Sequence, residues 1–141
     1  MADAFNAPGV VKPFGAFSSA AWQPPGRVLH VSGCVAQDEN GETVGGNSME
    51  AQTRQVLENI RTVLAHAGAT MDDVVKVTVL VTDVSEVAAI HEVRREFFKE
   101  PYPASTLVQV ARLIDPEWLI EIEAVAVVAE ASSAGAGCSA A

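Results

Sequence analysis

The chain has 141 residues, a formal net charge of −9 and a hydrophobic share of 49%. That length gives one domain with a sizeable core. The acidic balance, with its few Lys and Arg scattered, argues against nucleic acid or an anionic membrane surface as partner.

No apolar run approaches the ~20 residues of a membrane span, and the N-terminus lacks a charged region followed by an apolar one. Cys34 and Cys138 make no disulfide framework. The expected setting is cytoplasmic. In chain order, residues 1–12 are weakly patterned and read as an arm. Ala16 to Trp22 is consistent with a strand, Gln23-Pro24-Pro25-Gly26 is a turn, and Arg27 to Ser32 alternates as the returning strand of a hairpin. Gly33 marks a bulge or a close approach to the backbone. Further breaks fall at Asp38-Glu39-Asn40-Gly41 and Gly45-Gly46.

Asn47, with Glu50 three residues on, predicts a helix start with a capping box. Val56, Leu57, Ile60, Val63, Leu64 and Ala67 form its apolar stripe, and Gly68 is its natural stop. Val74 to Thr82 is the clearest strand, dense in β-branched residues. Asp83 and Glu86 repeat the capping spacing and open a second helix to about Lys99, with Val87, Ile90, Val93 and Phe97 as its stripe. Pro101 and Pro103 end it.

Two strands joined by a turn follow: Ser105 to Arg112, then Leu113 to Glu117, then Trp118 to Val128. Alternation puts Ser105 and Leu107 on one face and Thr106 on the other. Glu121 and Glu123 sit two apart in an otherwise apolar strand, and such breaks of a local rule are expected at functional sites. The tail, 131–141, is Ala, Ser and Gly and predicts disorder, leaving one domain over 1–130. The expected order is β-β-α-β-α-β-β, an α+β fold with two helices on one face of a mixed sheet. The other face is too apolar for water, so a homo-oligomer is expected. No Cys/His spacing suggests zinc and no Gly-rich phosphate loop appears, so neither a metal nor a phosphate cofactor is indicated.

The Val31-Ser32-Gly33 segment, the stretch from Gln52 to Phe98, Tyr102 to Leu113 and the Glu121 to Val127 ending together resemble the Rid family of enamine/imine deaminases, also called YjgF or L-PSP endoribonuclease. The resemblance spans about residues 10–129. It implies a chorismate-mutase-like protomer in a homotrimer, with small-molecule clefts between subunits and no cofactor. It implies hydrolysis of a 2-imino acid or its enamine to a keto acid and ammonia. It also implies that Glu121 handles protons or orients water, and that Ser32 and Gly33 line the cleft. Phe17 stands where many members have Tyr, His91 where several have Asn, and Leu107 where Cys is frequent. Ser105 and Thr106 offer hydrogen bonds, and His91 is a candidate acid or base.

Ser105 occupies the position at which the family grips the substrate carboxylate with Arg. Arg112, on the opposite strand face and about 23 Å along, does not replace it; a cation from a neighbouring subunit remains open. The expected substrate is therefore a non-standard imine, enamine or related unstable intermediate. Alternatives are a non-catalytic ligand-binding or regulatory trimer and a tautomerase or hydrolase of a specialised pathway. Ribonuclease activity is the weakest alternative, for want of a basic groove. Read without the resemblance, Glu121 is a satisfied carboxylate, His91 a helix-boundary residue, His30 a core or interface residue, and Cys34 an unactivated thiol.

Overall fold

The computed structural model describes residues 3–130; the expectation for 131–141 lies outside the described residues. Its elements are β1 (Asp3–Phe5), β2 (Ala20–Trp22), β3 (Arg27–Cys34), α1 (Met49–His66), β4 (Val74–Val81), α2 (Val87–Phe97), β5 (Ala104–Gln109) and β6 (Ile120–Val128), with short 3₁₀ turns ahead of β4 and α2. The main sheet has the order β3-β6-β4-β5, with β6 antiparallel to both neighbours and β5 parallel to β4.

Strands β3, β4 and β5 therefore run the same way, joined by α1 and then by α2. Parallel crossovers are right-handed, and these two step in the same direction across the sheet, so both helices land on one face. There α1 supplies Val56, Leu57, Ile60 and Leu64, and α2 supplies Ile90 and Val93. They pack on Val77, Val79 and Val81 of β4 and on Ile120, Ile122, Ala124 and Ala126 of β6. Each large side chain fully buried in this way contributes about 1.5–3 kcal/mol. The opposite face carries Glu121, Glu123 and Val125 of β6 and Thr106 and Val108 of β5, exposed or half-buried.

Several local readings are corrected. The expected arm is partly a strand: β1 pairs antiparallel with β2. The hairpin expected between Ala16–Trp22 and Arg27–Ser32 does not form, because β2 takes β1 and β3 takes β6. The two last strands are likewise not partners, since β4 lies between them. The ten residues separating β5 from β6 are enough chain to pass one strand, and the α2 crossover had already placed β5 against β4. The first strand of this pair stops at Gln109 rather than Arg112. Arg112 instead turns back to donate to the carbonyls of Leu113 and Ile114.

The first helix is capped by Ser48, whose side chain accepts from the Ala51 N–H at 3.0 Å, and not by Asn47. Its end is as expected. Gly68, at φ +78°, donates to the Ala65 carbonyl, and Ala69 donates to that of Leu64, a Schellman closure. Val63 and Ala67 fall outside the buried stripe, and Gln52 falls inside it. Gln52 is fully buried and fully used: its amide donates to the Gly46 and Glu117 carbonyls and accepts from the Leu119 N–H. It thereby fixes the loop that leads into β6. Asp83 caps the 3₁₀ turn Val84–Glu86 rather than α2 itself, and α2 ends at Phe97, two residues short of the expected stop.

Candidate functional site

The predicted site residues fall into two groups on opposite faces of the sheet. The first lies on the helix side, beside the outer strand β5. Residues 16–18 run against the start of β5: the Ser18 N–H donates to the Pro103 carbonyl at 3.1 Å, and Ser18 bridges to Ala104. This brings Phe17 over the strand. Phe14, Phe17, His91, Arg94, Ser105 and Leu107 then enclose a cavity of about 270 Å³.

His91 is held on every side. Its ring lies flat on Gly15, where a β-carbon would overlap it. It stacks on Phe17, with centroids 5.9 Å apart, and meets Phe14 edge-on at 5.4 Å. Its Nδ1 accepts the Ala16 N–H at 3.0 Å. Burial, and then the charges of Arg94 and Arg95, push its pKa down to about 4. At neutral pH the imidazole is uncharged, with its proton on Nε2 and its one basic lone pair occupied. That arrangement leaves Nε2–H as the hydrogen-bond donor of His91.

Arg94 was not anticipated. Val87, His91 and Arg94 stand at i, i+4 and i+7 of α2, so helical phase turns the guanidinium inward while Arg95 faces out. Arg94 is 1% exposed. Its Nη1 donates to Ser105 Oγ at 3.1 Å, and its Nε and Nη2 have no partner among the described residues. Among the described residues its guanidinium pairs with no carboxylate, whereas Arg54, Arg61 and Arg95 each do. The readable signal was a cation in phase with the apolar stripe. A serine where a large side chain was expected leaves the room it occupies.

The second group lies on the open face. β3 pairs Val31 with Ala124 and Cys34 with Ile122, so Ser32 and Gly33 together oppose Glu123 in a bulge. Val31 and Cys34 both face the core, and the bulge turns the pair between them outward. Glu121 reaches back over Gly33 so closely that a β-carbon there would strike its carboxylate. The glycine thus makes room for the Glu121 carboxylate in this rotamer and is not called for by a left-handed backbone. Burial, and then the Glu121 charge, push the Cys34 thiol up, keeping it protonated and a poor nucleophile.

Thr106 joins neither group: its side chain is on the open face, where Oγ1 meets Lys76 Nζ at 3.0 Å. β3 and β5 are opposite edges of the sheet, about 14 Å apart. Glu121 and Ser105 are further divided by the sheet itself. One small ligand cannot touch both groups within one protomer. Among the described residues, no group of three or more His, Cys, Asp or Glu could hold a metal ion, and no helix is long and apolar enough to cross a membrane.

This architecture recurs in known proteins. A curated RutC family protein of Pyrococcus horikoshii is 44% identical over 122 residues, covering 86% of this chain and 91% of its own. YyfB of Yersinia pestis, a Rid-family protein of unknown function, superposes with a TM-score of 0.83 at 40% identity, covering 90% of this chain and 98% of its own. RidA of an Antarctic Psychrobacter superposes at 0.68 with 35% identity, covering 89% and 95%. The sequence model of the family described as Endoribonuclease L-PSP matches residues 6–128, and with it the chain belongs to the Rid (YjgF, L-PSP) family.

Proposed function

We propose that the protein hydrolyses a small reactive imine or enamine in a cleft completed by a second copy of the chain, within a homotrimer. The observation that carries this is the division of the candidate residues. The aromatic cavity with Arg94 lies at one edge of the sheet, and the Glu121–Gly33 pair lies on the opposite face near the other edge. Each half is built, and neither is sufficient. In this reading the open faces of three copies join around an axis, which covers their Val and Leu residues, and Glu121 of one copy completes the cavity of the next at its β5 edge.

In this reading water adds to the imine carbon. Glu121 takes a proton from that water and passes one to the nitrogen. The resulting carbinolamine then expels ammonia as its hydroxyl proton is transferred to the amino nitrogen, leaving the carbonyl product. General acid–base help of this kind is worth typically 10²–10⁴-fold. The test is ammonia release from imines generated in situ by an amino acid oxidase. Glu121→Ala is expected to lose about that factor while sedimenting as the same trimer; unchanged turnover sinks the assignment.

A second reading, a ligand-binding trimer without turnover, is favoured by one observation. His91 is neutral with its basic nitrogen occupied, so the cavity side offers no second proton acceptor. Saturable ligand binding with no ammonia release across a panel of imines is its signature.

A further inference from the structure

We propose that Arg94, reaching in from α2, is the anchor for a small monocarboxylate ligand, which it grips through its Nε and Nη2 edge inside the Phe14–Phe17 cavity.

The argument begins with an imbalance. A buried cation is ordinarily paired, because removing it from water is expensive. Arg94 is among the most deeply buried large side chains of the domain, yet among the described residues its sole hydrogen-bond partner is the neutral hydroxyl of Ser105. Burial pushes its pKa down to about 10, so it remains a cation at neutral pH. The unpartnered nitrogens are Nε and Nη2. These form the side edge of the guanidinium, whose two parallel N–H groups match the two oxygens of one carboxylate. Ser105 occupies Nη1, and Nε and Nη2 are both covered, so a carboxylate reaches that edge by displacing part of the cavity wall.

The cavity restricts what carries that carboxylate. About 270 Å³ admits a small molecule only. Its walls are Phe17, Leu107 and Val87, and its mouth is formed by Phe14, 75% exposed, and Val84, 47% exposed. The substituent is therefore short and apolar or unsaturated. A second positive charge on it is disfavoured by Arg94. The neutral imidazole of His91 belongs to the same arrangement, since a charged one would face the guanidinium. This inference rests on the proposed cleft for its place in a reaction but not for the binding itself.

The experiment measures binding of crotonate, a planar apolar monocarboxylate, with crotonamide as its uncharged counterpart. Calorimetry and thermal shift are run on the full-length protein. Crotonate is expected to bind and raise Tm, and crotonamide is not. Arg94→Met should weaken crotonate by about 10-fold or more, and Arg94→Lys should recover part of that. Without ligand, Arg94→Met should melt no lower than wild type, because it removes an unpaired buried charge.

Equal response to crotonate and crotonamide overturns the inference, as does wild-type binding by Arg94→Met. So does an Arg94→Met protein that unfolds or dissociates while wild type ignores crotonate, which would assign Arg94 a counter-ion within the assembly. Arg94-dependent binding in a protein that turns over no imine keeps this inference and sinks the hydrolase reading. Imine turnover undisturbed by Arg94→Met does the reverse.

Discussion

The two halves of the candidate site are built by different means. At Glu121 and Gly33 the backbone does the positioning: a bulge fixes which residues turn outward, and a missing β-carbon gives the carboxylate its place. Glu121 stays half-buried on an open face, where water or a neighbouring chain can meet it. At Arg94 the side chains do the positioning. Helical phase buries a long cation, a serine leaves it space, and among the described residues no carboxylate pairs with it. The second half holds a cation with no charged partner among the described residues, which is the observation behind the carboxylate proposal.

The sharpest way to separate the halves is Gly33→Ala. Its β-carbon would displace the Glu121 carboxylate, and a displacement of about 1 Å can cost on the order of 100-fold in rate. Imine turnover should fall toward that limit while crotonate affinity stays at its wild-type value. Loss of both together would mean that the halves are not independent.

The next effect is on pH dependence. Folded His91 has a pKa of about 4, below its ordinary 6.5. The unfolded chain therefore binds the extra proton first, so stability is full above about pH 6.5 and falls as pH drops toward 4. His91→Phe keeps a ring in place and removes the titration. Urea midpoints at pH 7 and pH 5 should fall further in wild type than in the variant, the gap amounting to on the order of 1–2 kcal/mol. Parallel behaviour of the two would show that the ring protonates without penalty.

The smallest effect is expected at Thr106, which faces Lys76 away from the cavity. Thr106→Val should leave crotonate affinity within about a factor of two, as surface substitutions do. A larger loss would place a ligand contact on the open face and blur the distinction drawn between the two groups.

Legibility followed the same divide. The strand with Glu121, the glycine at 33 and the alternation separating Ser105 from Thr106 were readable because strand periodicity and glycine placement are local. The Arg94 signal is present but masked: Val87, Ile90, Val93 and Phe97 satisfy the helical period, and Arg94 stands beside that stripe at i+7 from Val87. Capping at Ser48 instead of Asn47 shows the usual uncertainty of one residue at a helix end, since either side chain can accept the orphan N–H groups.

Sequence alone determined the α+β class, both helices, the central β-branched strand and the family, because periodicity and residue type act over a few turns or a few strand residues. Tertiary structure decided which strands are neighbours, because crossover handedness and loop length place β4 between β5 and β6. It also decided the protonation of His91 and the isolation of Arg94. Both depend on burial and on partners brought from distant segments, Ala16 in one case and Ser105 in the other. A cation's partner, or its lack of one, exists only once the chain has folded around it.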